Sequence, residues 1–234
     1  MADEEDAAYE AVSALGDPVR RRLYRYVAAR PGWTGRDAAA EAAGISRSLA
    51  AHHLDRLVES GLLTTSFQRL SGRTGPGAGR PAKVYRRAER EHRVSLPPRA
   101  YDTLGRLLAG VVEEAGLDRE LQAAARAAGR TAEPDTDPVT LLRERGYQPF
   151  EEPREDEHGS DGDGDGDGTT LRLHNCPFHA LAEQHPALVC GMNLALIEGL
   201  LAGRRSAGGR EWTAVMDPRR EGCCVALKSK KNGS

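Results

Sequence analysis

TGRDAAAEAAGISRSLAAHHLDRLVESGLL, residues 34–63, reads as two helices joined by a tight turn. Thr34 is placed to cap a first helix running to about Ala43, because its hydroxyl can accept a free amide of the first turn. Gly44 supplies the left-handed residue that stops it. Ser46 caps a second helix, which Gly61 ends before the apolar pair Leu62 and Leu63. Along that second helix Leu49, Ala50, His53, Leu54, Leu57 and Val58 recur at helical spacing as a buried face. Ser46, Arg47, Ser48, Ala51, His52 and Arg56 fall on the other side. They are small, polar or basic, as a helix entering a major groove requires. A helical hairpin packed only on itself is the plain alternative, and the next segment weighs against it.

After Leu62 comes a strand pattern to about Gln68, then SGRTGPGAGRPAKVYR over residues 71–86. Glycine and proline between two strands make this a long hairpin loop. Arg73, Arg80 and Lys83 lie on it, and Tyr85 stands in the returning strand. A basic hairpin directly after a recognition helix is a wing that reaches phosphates or the adjacent minor groove. ALGDPVRRRLYRYV at residues 14–27, SRSLAAHHLDRLVESGLL at 46–63 and GRPAKVYR at 79–86 resemble the ArsR-like winged-helix regulators of bacteria. The resemblance implies a homodimer on a palindromic double-stranded DNA operator.

Charge agrees with that division of labour. The chain has 234 residues and a net charge of -2. Residues 11–93 hold 16 Lys and Arg against 7 Asp and Glu, whereas residues 94–234 hold 17 against 23. Positive charge thus sits where phosphate neutralisation needs it, and the acidic remainder argues against a second nucleic-acid surface. MADEEDAAYE is acidic where a secretory leader would be basic. No apolar run approaches the ~18 residues of a membrane span. The expected setting is the cytoplasm, with no membrane partner and no structural disulfides.

The expected fold class is α+β: an N-terminal winged helix-turn-helix, a helical dimerisation linker, and a C-terminal α+β sensor with a small antiparallel sheet. Residues 1–15 form a first helix, and Asp17-Pro18 starts the next, with Val19, Leu23, Tyr26 and Val27 inward. Arg20, Arg21 and Arg22 read as a solvated face. Residues 86–98 read as a linker, with Pro97-Pro98 opening the next helix. There Tyr101, Leu104, Leu108, Val111 and Ala115 form a heptad-like stripe, broadened by Leu107 and Val112, which suits a dimer seam. Further helices span Asp118 to about Ala128, ended by Gly129, and Pro138 to Arg145, ended by Gly146. Tyr147–Pro153 and Thr169–Asn175 read as paired strands around an acidic, glycine-rich loop. That loop lacks the glutamate a calcium-binding hand requires, whether begun at Asp161 or Asp163, and reads as flexible. The domains are therefore 1–93, 94–130 and 131–228, with a disordered tail at 229–234.

All four cysteines fall between residues 176 and 224 of the chain. Cys176 precedes Pro177 and is expected at a helix N-terminus, where the dipole favours thiolate. Cys190 lies on the helix PALVCGMNLALIEGLL. Cys223 and Cys224 sit in a last strand, where neighbours face opposite ways, so one of the pair is expected to join the others. No C-x2-C pair suggests a zinc ribbon or a thioredoxin-like site. Zinc held by three cysteines and His174, His179 or His185 stays open, as do buried free thiols. Three soft thiolates with a weak fourth position suit a labile iron–sulfur cluster.

LRLHNCPFHALAEQHPALVCGMNLALIEGLLAG at residues 171–203 and GCCVALK at 222–228 are similar to the sensor half of SufR-type repressors. The resemblance implies a 4Fe–4S or 2Fe–2S cluster held by Cys176, Cys190 and either Cys223 or Cys224; what holds the fourth iron stays open, His174 and His179 being candidates. It also implies control of iron–sulfur assembly genes. Structural zinc or thiol-based redox sensing is the runner-up. An iron–sulfur enzyme is remote, because no phosphate loop or acid–base pair surrounds the cysteines.

Overall fold

The computed structural model describes residues 2–69, 80–131, 136–152, 169–204, 210–219 and 222–230. The chain divides into two compact units, Met1–Arg99 and Ala100–Ser234. Both mix helices with a small antiparallel sheet. The acidic loop at 153–168 and Arg73 lie outside the described residues, as do 231–234.

The first unit runs α1 (Ala2–Ala14), α2 (Pro18–Ala28), β1 (Thr34–Gly35), α3 (Arg36–Ala43), α4 (Arg47–Glu59), β2 (Leu63–Gln68) and β3 (Ala82–Arg87). Asp17 caps α2, its carboxylate accepting the amides of Val19 and Arg20 at 2.8 and 2.9 Å. Gly44, at φ 64°, ends α3. Ser46 Oγ accepts the Leu49 amide at 3.3 Å and opens α4. Ala50, Leu54 and Leu57 of α4 are fully buried against Leu23, Val27 and Ala39. Each such leucine contributes about 1.5–3 kcal/mol by leaving water. Arg20, expected among solvated arginines, donates from Nε to the Ala14 carbonyl at 2.7 Å and closes the end of α1.

Three local expectations fail here. Thr34 does not cap α3; it pairs with Tyr85 in β1, giving the sheet order β1-β3-β2, and Gly35 precedes the helix with no side-chain cap. A two-residue strand carries too little pattern to be seen beforehand. Leu49 is not on the buried face of α4 but 42 % exposed. Arg86 and Arg87, read as the start of a linker, complete β3.

The second unit runs α5 (Tyr101–Glu114), α6 (Asp118–Arg130), α7 (Pro138–Glu144), β4 (Pro149–Glu151), β5 (Thr170–Leu173), α8 (His179–Ala182), α9 (Pro186–Leu201), β6 (Glu211–Met216) and β7 (Val225–Lys230). Its sheet has the order β4-β5-β7-β6, every pair antiparallel. Strand β6 was not expected; Trp212 and Ala214 face the core while Thr213 is exposed, the alternation of a half-buried strand. Ile197, Leu200 and Leu201 of α9 join Leu171, Leu173, Val225 and Leu227 in one core. Arg172 is buried too, held by Glu152 at 3.0 Å and Asp217 at 2.7 Å.

Residues 94–130 are not a separate linker, since α5 and α6 belong to the second unit. Nor does Gly129 end α6. It lies inside the helix at the crossing with α9, where an added Cβ would come within 2.3 Å of the Leu196 carbonyl. Gly199 answers from α9, its own Cβ position 2.2 Å from the Arg126 carbonyl. Arg126 and Glu198 pair beside this crossing at 2.5 Å. Helix α5 starts at Tyr101 rather than at the two prolines and buries no residue. Tyr101, Leu104, Leu107, Leu108 and Val111 all stand exposed. Ser229 and Lys230, assigned to a tail by sequence, continue β7.

Candidate nucleic-acid interface and cysteine site

The outward side of α4 carries Arg47, Ser48, His52 and Arg56, all exposed, with Ala51 half-buried between them. Ser46 and Ser48 share a hydroxyl contact at 3.2 Å at the helix start. Two of the arginines already have carboxylate partners: Arg47 meets Asp37 of α3 at 2.6 Å, and Arg56 meets Glu59 at 2.7 Å. Both pairs are well exposed, so each holds its side chain loosely, by about 0–1 kcal/mol. Lys83 is placed differently. Its ammonium meets Asp55 of α4 at 2.7 Å, and the Tyr85 hydroxyl donates to the same oxygen at 3.0 Å. Burial, then this bond, push the Tyr85 hydroxyl far above its ordinary range. Asp55 thus ties β3 to α4, taking up the charge that sequence reading assigned to phosphate. Arg80 is exposed just before β3.

Sequence reasoning missed two members of this face. Leu49 beside His52 offers an apolar surface of the kind that meets a thymine methyl. Asp37 is a competitor for Arg47. Beneath the face, His53 is buried with Nδ1 unpartnered, and burial holds it below its ordinary value of 6.5.

The cysteines come from three places in the second unit. Cys176 occupies the turn between β5 and α8; it is not at a helix N-terminus, since α8 begins at His179. Asn175 anchors that turn by donating to the Gly146 carbonyl at 2.7 Å. Cys190 lies in the second turn of α9. Cys223 and Cys224 precede β7 rather than belonging to it. The Cys223 amide donates to the Leu173 carbonyl at 2.8 Å. Gly222 before it has φ 93°, and an added Cβ would lie 2.9 Å from that same carbonyl. Only glycine takes both the conformation and the space.

The two neighbours nonetheless differ in burial. Cys223 is buried in the core with Val225 and Leu227, and Cys224 is half-buried. Each has its own partner. Cys190 Sγ donates to Cys224 Sγ at 3.0 Å. Cys223 donates to Cys176; that bond, with help from the Phe178 amide and against the effect of burial, lowers the Cys176 thiol to about 7. The same donation and burial push Cys223 well up. Burial first, then the Cys224 contact, push Cys190 up to about 12. Of Cys176, Cys190 and Cys223, only Cys176 is shifted toward the thiolate.

Behind Cys223 stands a pair that sequence reading did not single out. Asn193 of α9, 1 % exposed, donates from Nδ2 to Cys223 Sγ at 3.2 Å. Its Oδ1 accepts the buried Tyr147 hydroxyl. A buried carboxamide without partners would cost several kcal/mol, so this chain fixes which way Asn193 points. The run Tyr147, Asn193, Cys223, Cys176 passes hydrogen bonds in one direction, ending on the Cys176 sulfur.

The three histidines weighed as ligands make contacts of their own. His174 stacks edge-on with Phe150 at 6.1 Å, His179 pairs with Glu183 at 3.3 Å on the surface, and His185 pairs with Glu113 of α5 at 2.6 Å. Among the described residues, no three His, Cys, Asp or Glu side chains have the arrangement of a ready metal site. Two thiolates sharing a tetrahedral zinc at 2.3 Å stand about 3.8 Å apart, wider than the Cys190–Cys224 contact. The donor set fits a soft metal or iron–sulfur group in kind, because all four converging groups are sulfur. Holding one requires the touching pairs to part.

A family model described as a helix-turn-helix domain matches residues 15–66, which span α2, β1, α3, α4 and most of β2. No curated protein and no solved structure matches the chain. The first unit thus carries the DNA-binding module of transcription regulators. Among the described residues no helix is long and apolar enough to cross a membrane.

Proposed function

We propose that this DNA-binding regulator is a homodimeric winged-helix repressor of iron–sulfur assembly genes, with its operator affinity set by an iron–sulfur cluster. The observation that carries the reading is that three separate elements bring the four cysteines into two bonded pairs, Cys190 with Cys224 and Cys176 with Cys223. Cys176, Cys190 and one of the last two hold the cluster, of 4Fe–4S or 2Fe–2S type. When bound, it supplies a labile, redox-active group that is lost or altered under oxidation or iron shortage.

The chain's own residues carry the consequence outward. Cys190 stands on α9, whose N-terminal neighbour His185 is bonded to Glu113 of α5. Gln122 of α6 lies 2.9 Å from where a side chain at Gly191 would begin. Parting Cys190 from Cys224 therefore loads α5 and α6 directly. The exposed apolar side of α5 is the seam for a second copy: five large apolar side chains on about three helical turns need a cover. Arg47 and His52 contact base edges, and Arg80 the backbone or minor groove.

Protein purified without oxygen tests the reading. It is expected to be brown, with iron and acid-labile sulfide in proportion to protein. Colourless protein with stoichiometric zinc would favour structural zinc instead.

A further inference from the structure

We propose that Cys190 and Cys224 form a reversible disulfide when the metal-free protein meets a peroxide, making this pair an oxidation site in its own right. Their sulfurs already touch at 3.0 Å. A disulfide needs about 2.05 Å, so the two must close by only about 1 Å.

The surroundings favour this pair over the other. Cys190 and Cys224 are both partly exposed, open to a molecule as small as a peroxide. Cys223 is 5 % exposed, and Asn193 Nδ2 holds its sulfur within the core at 3.2 Å. Both carriers of the reactive pair are firmly anchored. Leu188 and Val189 are buried beside Cys190, and Val225 beside Cys224. The Cys224 carbonyl also accepts the Asp217 amide at 2.7 Å. Backbone movement is therefore small and side-chain rotation supplies the closure.

The step balances with the peroxide as oxidant. One sulfur attacks the peroxide, the O–O bond breaks, and an alcohol or water leaves as that sulfur becomes a sulfenic acid. The second sulfur then forms the S–S bond, and the hydroxyl leaves as water with the second thiol's proton. Two electrons pass from the two sulfurs to the peroxide oxygens. A thiol reductant reverses the change. Stapled in this way, α9 is tied covalently to the residue that precedes β7.

The test uses reduced, metal-free full-length protein titrated with hydrogen peroxide, then alkylated and mapped by non-reducing peptide mass spectrometry. The expected result is loss of two of the four free thiols, with a Cys190–Cys224 cross-linked peptide appearing first and vanishing on reduction. Cys224→Ala is expected to abolish that cross-link while Cys176→Ala leaves it; circular dichroism checks that both variants are folded. A first-formed link between Cys176 and Cys223, a link between two chains, or separate sulfinic acids at Cys190 and Cys224 would each overturn the proposal. Because no iron is present, failure here is distinct from failure of the cluster reading, which is scored by the iron and sulfide of anaerobic protein.

Discussion

Helices α4 and α9 each carry a site, and they do so in opposite ways. On α4 the chemistry faces solvent: Ala50, Leu54 and Leu57 hold the helix down while Arg47, Ser48, His52 and Arg56 look away. On α9 the surroundings are enclosed: Leu188, Val189, Asn193, Ile197, Gly199 and Leu200 are buried around the helix, and Cys190 is half-buried beside them. A two-faced helix lets function change without touching stability. An enclosed helix couples the two, because each side chain there is also a packing element.

The sharpest way to break that comparison is Cys190→Ser or Cys176→Ser. Each is expected to abolish iron and sulfide after anaerobic reconstitution, since neither cysteine has a neighbour to replace it. One of Cys223→Ser and Cys224→Ser should do the same and the other should not. A full cluster in Cys176→Ser would remove the three-thiolate arrangement altogether. Next in size, Leu104→Glu with Leu108→Glu on α5 should yield monomers by light scattering and weaken operator binding strongly. An unaltered dimer would place the seam elsewhere.

Smaller effects sharpen the contrast. Gly199→Ala puts a methyl against the Arg126 carbonyl and should cost about 1–3 kcal/mol in urea unfolding of the second unit. Arg47→Ala should leave the melting curve unmoved and cost about 1–3 kcal/mol on a specific operator, with relaxed sequence preference. Equal loss on random DNA would make Arg47 a phosphate contact. Asp37→Ala should strengthen specific binding a few-fold by releasing Arg47, and unchanged affinity would show that the pair does not compete.

The smallest effect is on pH. Burial lowers the His53 pKa, so below its ordinary 6.5 the unfolded chain binds a proton that the folded one refuses. Stability of the first unit should therefore fall as pH drops from about 6.5 toward the lower folded value, by at most about 1.4 kcal/mol per pH unit. His53→Leu should flatten that slope in denaturant melts at pH 7.5 and 5.5; an unchanged slope would assign it to other groups.

What could be read beforehand follows the same division. The α3–α4 pair was legible because Gly44, Ser46 and Gly61 mark its ends and its polar and apolar residues separate at helical spacing. Cys176 and Cys190 were legible as chemistry, though not as contacts. Pairing Cys190 with Cys224 requires the strand order β5-β7-β6, and β6 was not seen. Asn193 gave no signal beforehand, since nothing local distinguishes a carboxamide aimed at sulfur from one aimed at water. Gly129 was taken for a helix stop because a glycine near a helix end usually is one; its cause lies seventy residues on, at Gly199. Lys83 looked free until Asp55 came beside it through the fold.

That glycine crossing has a mechanical consequence. Where Gly129 meets Gly199 the two backbones touch with no side-chain layer between them, and side chains are what give a helix interface its compliance. A push on α9 at Cys190 is not absorbed at this joint by a rotamer change. It is expected to reach α6, which the short turn at Gly116 joins to α5. The crossing is built as a stiff coupling between α9 and α6.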